Sequence, residues 1–389
     1  MPLFLINIEL AFYFSASLFF MFISFLSATC RSISLDRINA FLVAIMMVLF
    51  YGLRTEGTSD IKMYLDFFDR MSDFEDFPWS YGFYIIAKTI KLINPSHEFY
   101  IFFTSLFFVC AVLICTFKYL KNEPYKSLLM LSFFNGWYML DLATNTIMQG
   151  MALPFVMLSF YFLIHKKRSL FLTFAALGIS IHWGALTPLC FGVFSYCIAK
   201  RRLLLKSITI AVLLFYTSSY FINLDIARVL VEKTPIDTLQ NFFVGVNLKS
   251  KAYAYLNSEI IGAQFYQLPI ITRLKYTTES FIPLVVNAIF FLTRKKDDPF
   301  FYQNKLYLPV YTLFLLLTAY GVSIISMVWF FRNFYWGPML SMISLMMIIS
   351  YYKRSKNHNA YVFILTSCVL IVGLLANWPS ALLQMSYPA

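Results

Sequence analysis

Charge is what this chain of 389 residues has least of: 13% of it is Asp, Glu, Lys or Arg, against 60% hydrophobic residues and a mean hydropathy of +0.70. A soluble domain carries about twice that share of charge, so a soluble enzyme is excluded. Histidine is scarce as well. The four, His97, His165, His182 and His358, are scattered and gather with no Asp or Glu into a ligand set, so neither a metal site nor a cofactor is expected. The six cysteines (Cys30, Cys110, Cys115, Cys190, Cys197 and Cys368) fall inside apolar runs or at their ends, where they pack as small apolar residues. The two longest polar connections contain none, which excludes a disulfide framework there. The N-terminus, MPLFLINIEL, lacks a basic region, and a cleaved signal is not expected.

What is present is a series of apolar runs. A helix needs roughly 20 apolar residues to cross a bilayer, and twelve candidates occur: about 3–28, 39–53, 99–117, 126–143, 146–164, 169–182, 184–199, 207–222, 278–293, 306–330, 334–352 and 360–376. The fold expected is all-α: a polytopic integral membrane bundle of about 12 transmembrane helices, one domain over residues 1–389.

Basic residues mark one face of that bundle. Arg31/Arg37, Lys118/Lys121/Lys126, Lys166/Lys167/Arg168, Lys200/Arg201/Arg202/Lys206, Arg294/Lys295/Lys296/Lys305 and Lys353/Arg354/Lys356 occupy alternate connections, which the positive-inside rule assigns to the cytoplasm. They hold 19 of the 31 basic residues with four acids, a net +15, and leave −3 for the rest of the chain. The pI of about 9.3 is therefore a record of topology and gives no reason to expect nucleic acid as a partner. Both termini are expected outside.

The inner connections are short, whereas two long segments, 54–98 and 223–277, face outward. The first begins RTEGTSDIKMYLDFFDRM: Arg54 at the membrane rim, a Gly57-Thr58-Ser59 turn, and Asp60 placed to cap the helix that follows. Residues 81–93, YGFYIIAKTIKLI, carry Phe83, Ile86, Ile90 and Ile93 at helical spacing and are too short to span, so an interfacial or re-entrant helix is expected. The second segment is rich in aromatics and ends in Arg273, Lys275 and Glu279. Loops this long in a compact protein usually carry function.

All six tryptophans (Trp79, Trp137, Trp183, Trp329, Trp336 and Trp378) fall on the outer side of this topology. An aromatic belt normally occupies both interfaces; the one-sided distribution is read either as a belt or as indole faces for stacking on sugars. Ionisable groups inside spans usually mark function. Asp141, His182 in SIHWGALTPL and Arg332 in WFFRNFYWGP all converge on the outer rim, at the level of Arg54 and Asp60.

These stretches, in this order, resemble the EpsG-like branch of the Wzy-type bacterial polysaccharide polymerases. The residues that carry the resemblance are Leu53-Arg54, Gly57-Thr58-Ser59-Asp60 with Tyr64 to Phe67, and Gly82-Phe83-Tyr84. Gln149 to Ala152, His182 to Leu186 and Arg332 with Tyr335 extend it over most of the chain. The pattern departs from the family at Ser59, inserted in the turn, at Ser80-Tyr81 in place of Glu-Pro, and at Met148 in place of Arg.

The resemblance implies transfer of a glycan chain from undecaprenyl diphosphate to a sugar hydroxyl of an incoming lipid-linked repeat unit, at the periplasmic face of the bacterial inner membrane. It implies an undecaprenyl diphosphate-linked oligosaccharide and the lipid bilayer as partners, with a chain-length regulator and a flippase as further ones. Arginine suits a diphosphate because its fork of donors matches phosphate oxygens. Arg54 and Arg332 are expected in that role, helped by Arg273 or Lys275. For the acceptor proton the candidates are His182, which is preferred, and Asp60. Tyr64, Trp183, Trp336, Tyr335, Gln149 and Asp141 are expected to contact sugar or lipid. Direct attack by the hydroxyl would invert the anomeric carbon, without metal. The main alternative is a lipid-linked oligosaccharide flippase or other secondary transporter, which would bring internal repeats and a midplane site; neither is visible. A membrane acyltransferase would place its histidine towards the cytosol.

Overall fold

The computed structural model describes residues 3–54, 59–71, 80–222, 226–233, 256, 264–295, 298–328 and 330–368, which are helical with turns and contain no strand. The readings made on Gly57, Thr58, Trp79, Trp329, Trp378, most of the second long segment and the last span beyond 368 lie outside the described residues.

Six helices are long and apolar enough to cross a membrane: α1 (Leu3–Thr29), α2 (Ile33–Gly52), α5 (His97–Tyr119), α8 (Ile147–Ile164), α11 (Arg202–Ser219) and α13 (Ile270–Thr293). Four shorter apolar elements accompany them: α9 (Arg168–Ile181), α10 (Leu186–Ile198) with its preceding turn Trp183–Ala185, α15 (Tyr307–Ser323) and α16 (Pro338–Tyr351). The apolar run at 126–143 is two helices, α6 (Lys126–Asn135) and α7 (Trp137–Thr144), broken at Gly136. Two short helices, α12 (Ile226–Lys233) and α14 (Pro299–Gln303), fall between these, and a final helix starts at residue 358 and is described to 368. The protein is thus an all-helical, polytopic membrane bundle.

Local chemistry explains where elements begin. Ser32 caps α2, its hydroxyl accepting the Leu35 N–H at 3.3 Å, so that helix starts ahead of its apolar run and takes in Asp36. Asp36 then receives the N–H groups of Lys126 (3.0 Å) and Ser127 (2.9 Å), with the Lys126 ammonium 3.5 Å away and both side chains fully buried. A carboxylate at the N-terminus of α6 satisfies otherwise unbonded donors and meets the positive end of the helix dipole. The Gly136 break is held the same way by a carboxylate from another helix. Glu279 of α13 accepts the first two N–H groups of α7, from Trp137 and from Tyr138 at 3.1 Å.

Length matters as much as capping. At 14 residues each, α9 and α16 are ~21 Å long, against ~30 Å of hydrocarbon in a bilayer. Both have one end at a Lys/Arg cluster, Arg168 for α9 and Lys353 for α16, so the shortfall lies at the other end. There the chain continues as turns and 3-10 helix, at Trp183–Ala185 and Phe330–Asn333. Two amphipathic helices, α3 (Ser59–Arg70) and α4 (Tyr81–Ile93), sit at that same distal end. They are fastened together by Lys91, whose ammonium donates to the carbonyls of Phe68 (2.6 Å) and Asp69 (2.8 Å) at the end of α3.

Candidate active site

Irregular backbone below a membrane surface persists only where its polar groups find partners or line a cavity, and the distal recess shows how they are satisfied. Arg332 lies in the 3-10 turn between α15 and α16. Its Nη2 donates to Asp60 Oδ2 at 2.6 Å, a charge-assisted bond across 272 positions, with the two side chains 22% and 19% exposed. The Arg332 carbonyl accepts from Gln149 Nε2 at 3.1 Å, which ties the turn to the start of α8. Three residues on, the Tyr335 hydroxyl donates to Asp141 Oδ2 at 2.6 Å, and Asn145 Nδ2 donates to the other carboxylate oxygen at 3.2 Å. The Tyr335 ring packs against Tyr138 with centroids 5.2 Å apart.

His182 ends α9 and is the next link. Its Nδ1 accepts the Gly184 N–H at 2.9 Å, and its ring meets the indole of Trp336 edge-on with centroids 6.0 Å apart. An imidazole whose Nδ1 accepts carries its proton on Nε2 when neutral. Glycine at 184 is required by space: a Cβ there would lie 2.5 Å from Cε1 and 2.7 Å from Nδ1 of His182. Gly82 has a similar task one element away. A Cβ on it would fall 2.7 Å from the carbonyl carbon and oxygen of Ser180, so glycine lets the start of α4 lie directly on the end of α9, where the Ser80 hydroxyl donates to the Ile181 carbonyl.

Arg54 closes the recess from below and is 5% exposed. Nη1 donates to the Tyr51 carbonyl and to Ser105 Oγ (3.2 Å), and Nη2 to the Thr144 carbonyl (2.9 Å). A cation thus joins the C-terminal ends of α2 and α7, where the helix dipoles favour positive charge. Burial pulls its pKa down to about 9, and at neutral pH it remains cationic. Thr144 is three residues from Asp141, so Arg54 adjoins the same assembly.

The remaining expected site residues are distributed around this core. Tyr64 is 6% exposed and packs its ring on Phe83 (5.7 Å) between α3 and α4, whereas Trp183 is 53% exposed. Arg273 is placed at the foot of the second long segment. Its guanidinium donates to the carbonyls of Leu268 (2.8 Å), Tyr220 (3.2 Å) and Tyr266 (2.5 Å), over the rings of Phe265 and Tyr266. Lys275 lies two residues further along α13. The structure therefore gathers Asp60, Arg332, Gln149, Tyr335, Asp141, His182 and Trp336 into one run of contacts, with Arg54 beneath. Arg273 lies beside that run, over Phe265, whose ring meets Phe330 two residues before Arg332.

Sequence reasoning gave no role to two neighbours. Glu279 builds the Gly136 break, and Tyr138 donates its hydroxyl to the Tyr276 carbonyl. An acid inside an apolar run was the visible signal for Glu279; nothing in the sequence singles out Tyr138. The arrangement as a whole brings together a cation paired with a carboxylate, an imidazole and an indole, at the helix ends away from the basic clusters. That is a set of groups for holding an anion while a hydroxyl loses a proton.

No curated protein and no solved structure matches the chain. The model of the EpsG family matches residues 37–387, a stretch that takes in every side chain of the recess. The chain belongs to the EpsG family, and with its polytopic membrane fold it is a polysaccharide polymerase in that family's general sense.

Proposed function

We propose that the distal recess transfers a growing glycan from a polyprenyl diphosphate, undecaprenyl diphosphate in a bacterial inner membrane, to a hydroxyl of an incoming lipid-linked repeat unit, on the periplasmic side. The observation that carries this reading is the Arg332–Asp60 pair. A diphosphate, with more charge and more acceptor oxygens than one carboxylate, competes for the Arg332 fork and releases Asp60 beside it. The acceptor oxygen attacks the anomeric carbon, the bond from that carbon to the diphosphate oxygen breaks with its electron pair, and the hydroxyl proton passes to Asp60. One displacement inverts the anomeric configuration.

His182, an Nε2–H donor by virtue of its Gly184 bond, supports the leaving diphosphate, which is the reason for assigning the proton to Asp60 and not to the imidazole. Arg54 adds positive charge from beneath and fixes α7. Trp183, exposed at the rim, offers an indole face to the sugars, Trp336 backs the His182 ring, and Tyr335 with Asp141 and Gln149 keeps the Arg332 turn in place. Arg273 and Lys275 hold the wall formed by the second long segment. No step here calls for a metal ion.

Replacing Arg332 by Ala or Asp60 by Asn, with membrane levels of the protein checked, should abolish long surface polysaccharide while single repeat units still reach the cell surface. Loss of the single units as well would instead indicate a transporter.

A further inference from the structure

Beside the broken helix α6–α7 runs a cavity of about 190 Å³, walled by α6, α13, α16 and the final helix. Its lining is hydrocarbon and thioether almost throughout, and it opens sideways: Ile282, Val286 and Ile364, all within spans, are 38%, 42% and 57% exposed. At this depth water is absent, so only hydrocarbon can fill such a groove. Along α16 it extends from Pro338 to Ile349 and on to Tyr352, on the order of 20 Å at 1.5 Å per residue.

Its distal end adjoins the recess along the chain. Pro338 follows Arg332 by six residues, and Met139 of the lining precedes Asp141 by two. Between them stands an aromatic collar, with Tyr276 stacked on Phe331 at 5.3 Å and beside Trp137 at 6.1 Å. Glu279 lies in the distal part of the wall, its oxygens already receiving two N–H groups. It offers a phosphate nothing, so a head group has no reason to descend past it.

We infer that this groove seats the polyprenyl chain of the lipid diphosphate whose head lies at Arg332, an inference that rests on the function proposed above. The choice over a phospholipid follows from the lining. A phospholipid brings its own head group, for which these walls supply no Lys or Arg, whereas a chain that enters past Pro338 starts six residues from Arg332. Met139 and Met342 in the lining suit a branched, kinked chain, because thioether side chains adapt to irregular shapes.

Two measurements on the full-length protein test it. With Val286→p-benzoylphenylalanine in phosphatidylethanolamine vesicles containing undecaprenyl diphosphate, irradiation should crosslink position 286 to the polyprenyl chain. Crosslinks to phospholipid alone overturn the inference, whether or not the protein polymerises anything. In the second, Val286→Trp fills the groove and should raise KM for a full-length lipid-linked donor by roughly tenfold, the loss expected when a few chain carbons are expelled. kcat, and turnover of a donor on a two-isoprene chain, should stay within about twofold of the parent protein. Ile289→Trp, on the same helix at a residue 59% exposed and outside the groove, controls for folding and should change neither. A Val286→Trp protein with an unchanged KM for the long-chain donor contradicts the groove assignment while leaving the polymerase reading intact; a parent protein that polymerises neither donor removes the polymerase reading itself.

Discussion

Asp60 and His182 lie at the same rim but in different hydrogen-bonding states, and the proposed roles rest on that difference. The imidazole accepts at Nδ1 from Gly184 and so donates at Nε2; the carboxylate can only accept until it is protonated. Asp60→Asn should therefore lower kcat by about 10²–10⁴, the range for loss of a general base. His182→Gln, which keeps a donor, should act mainly on KM. The pH profile of kcat separates the two roles: its acid limb should persist in His182→Gln and vanish in Asp60→Asn. The opposite pattern would make the imidazole the base. The sequence put both residues at one level of the membrane, but not their tautomer or partners. Those depend on Gly184 two positions on and on Arg332, 272 positions away, the latter pairing unreadable from spacing.

Elements explain what the motif glycines and short helices do. Gly82 allows α4 to rest on the last turn of α9, just before His182. Gly82→Ala would drive a methyl group into backbone that cannot retreat, at a cost of about 1–3 kcal/mol. A thermal shift of the purified protein should register that loss, together with reduced polymer in cells; an unchanged melting temperature would show that α4 is free to move. The apolar runs were legible in the sequence because a span must be apolar along its length, and α1, α5, α8 and the shorter α4 begin and end close to the expected positions. Less legible were the break at Gly136 and the early start of α2 at Ile33. Each depends on a side chain, Glu279 or Ser32, that satisfies N–H groups the apolar pattern does not record. The length shortfall of α9 and α16 was hidden for a related reason: the tryptophans and phenylalanines of the turns beyond them read as continued span, although their backbone leaves the helix.

At the scale of the whole molecule, charge sorts the two faces. Every residue of the recess lies at the helix end away from a Lys/Arg cluster: Arg54 beyond α2, Asp141 in α7, Gln149 at the start of α8, His182 beyond α9, and Arg332 between α15 and α16. If the basic clusters face the cytoplasm, the recess faces the periplasm. In a chain whose six native cysteines are replaced by serine, Met63→Cys and Trp183→Cys should be labelled by an impermeant thiol reagent from outside intact spheroplasts, and Lys166→Cys only after lysis. Labelling of Lys166→Cys from outside would invert the assignment. In the proposed reading the lipid chain then lies in the groove and the sugars in the recess, with one face of the bundle serving both.

The most direct measurement of the central claim is reconstitution: purified protein in vesicles, given a synthetic lipid-linked repeat unit with EDTA present. The account predicts a ladder of polymer whose new linkages have inverted anomeric configuration, undiminished by the chelator and lost in Arg332→Ala. A ladder with retained configuration, one that requires a restored divalent cation, or one that survives Arg332→Ala would contradict it.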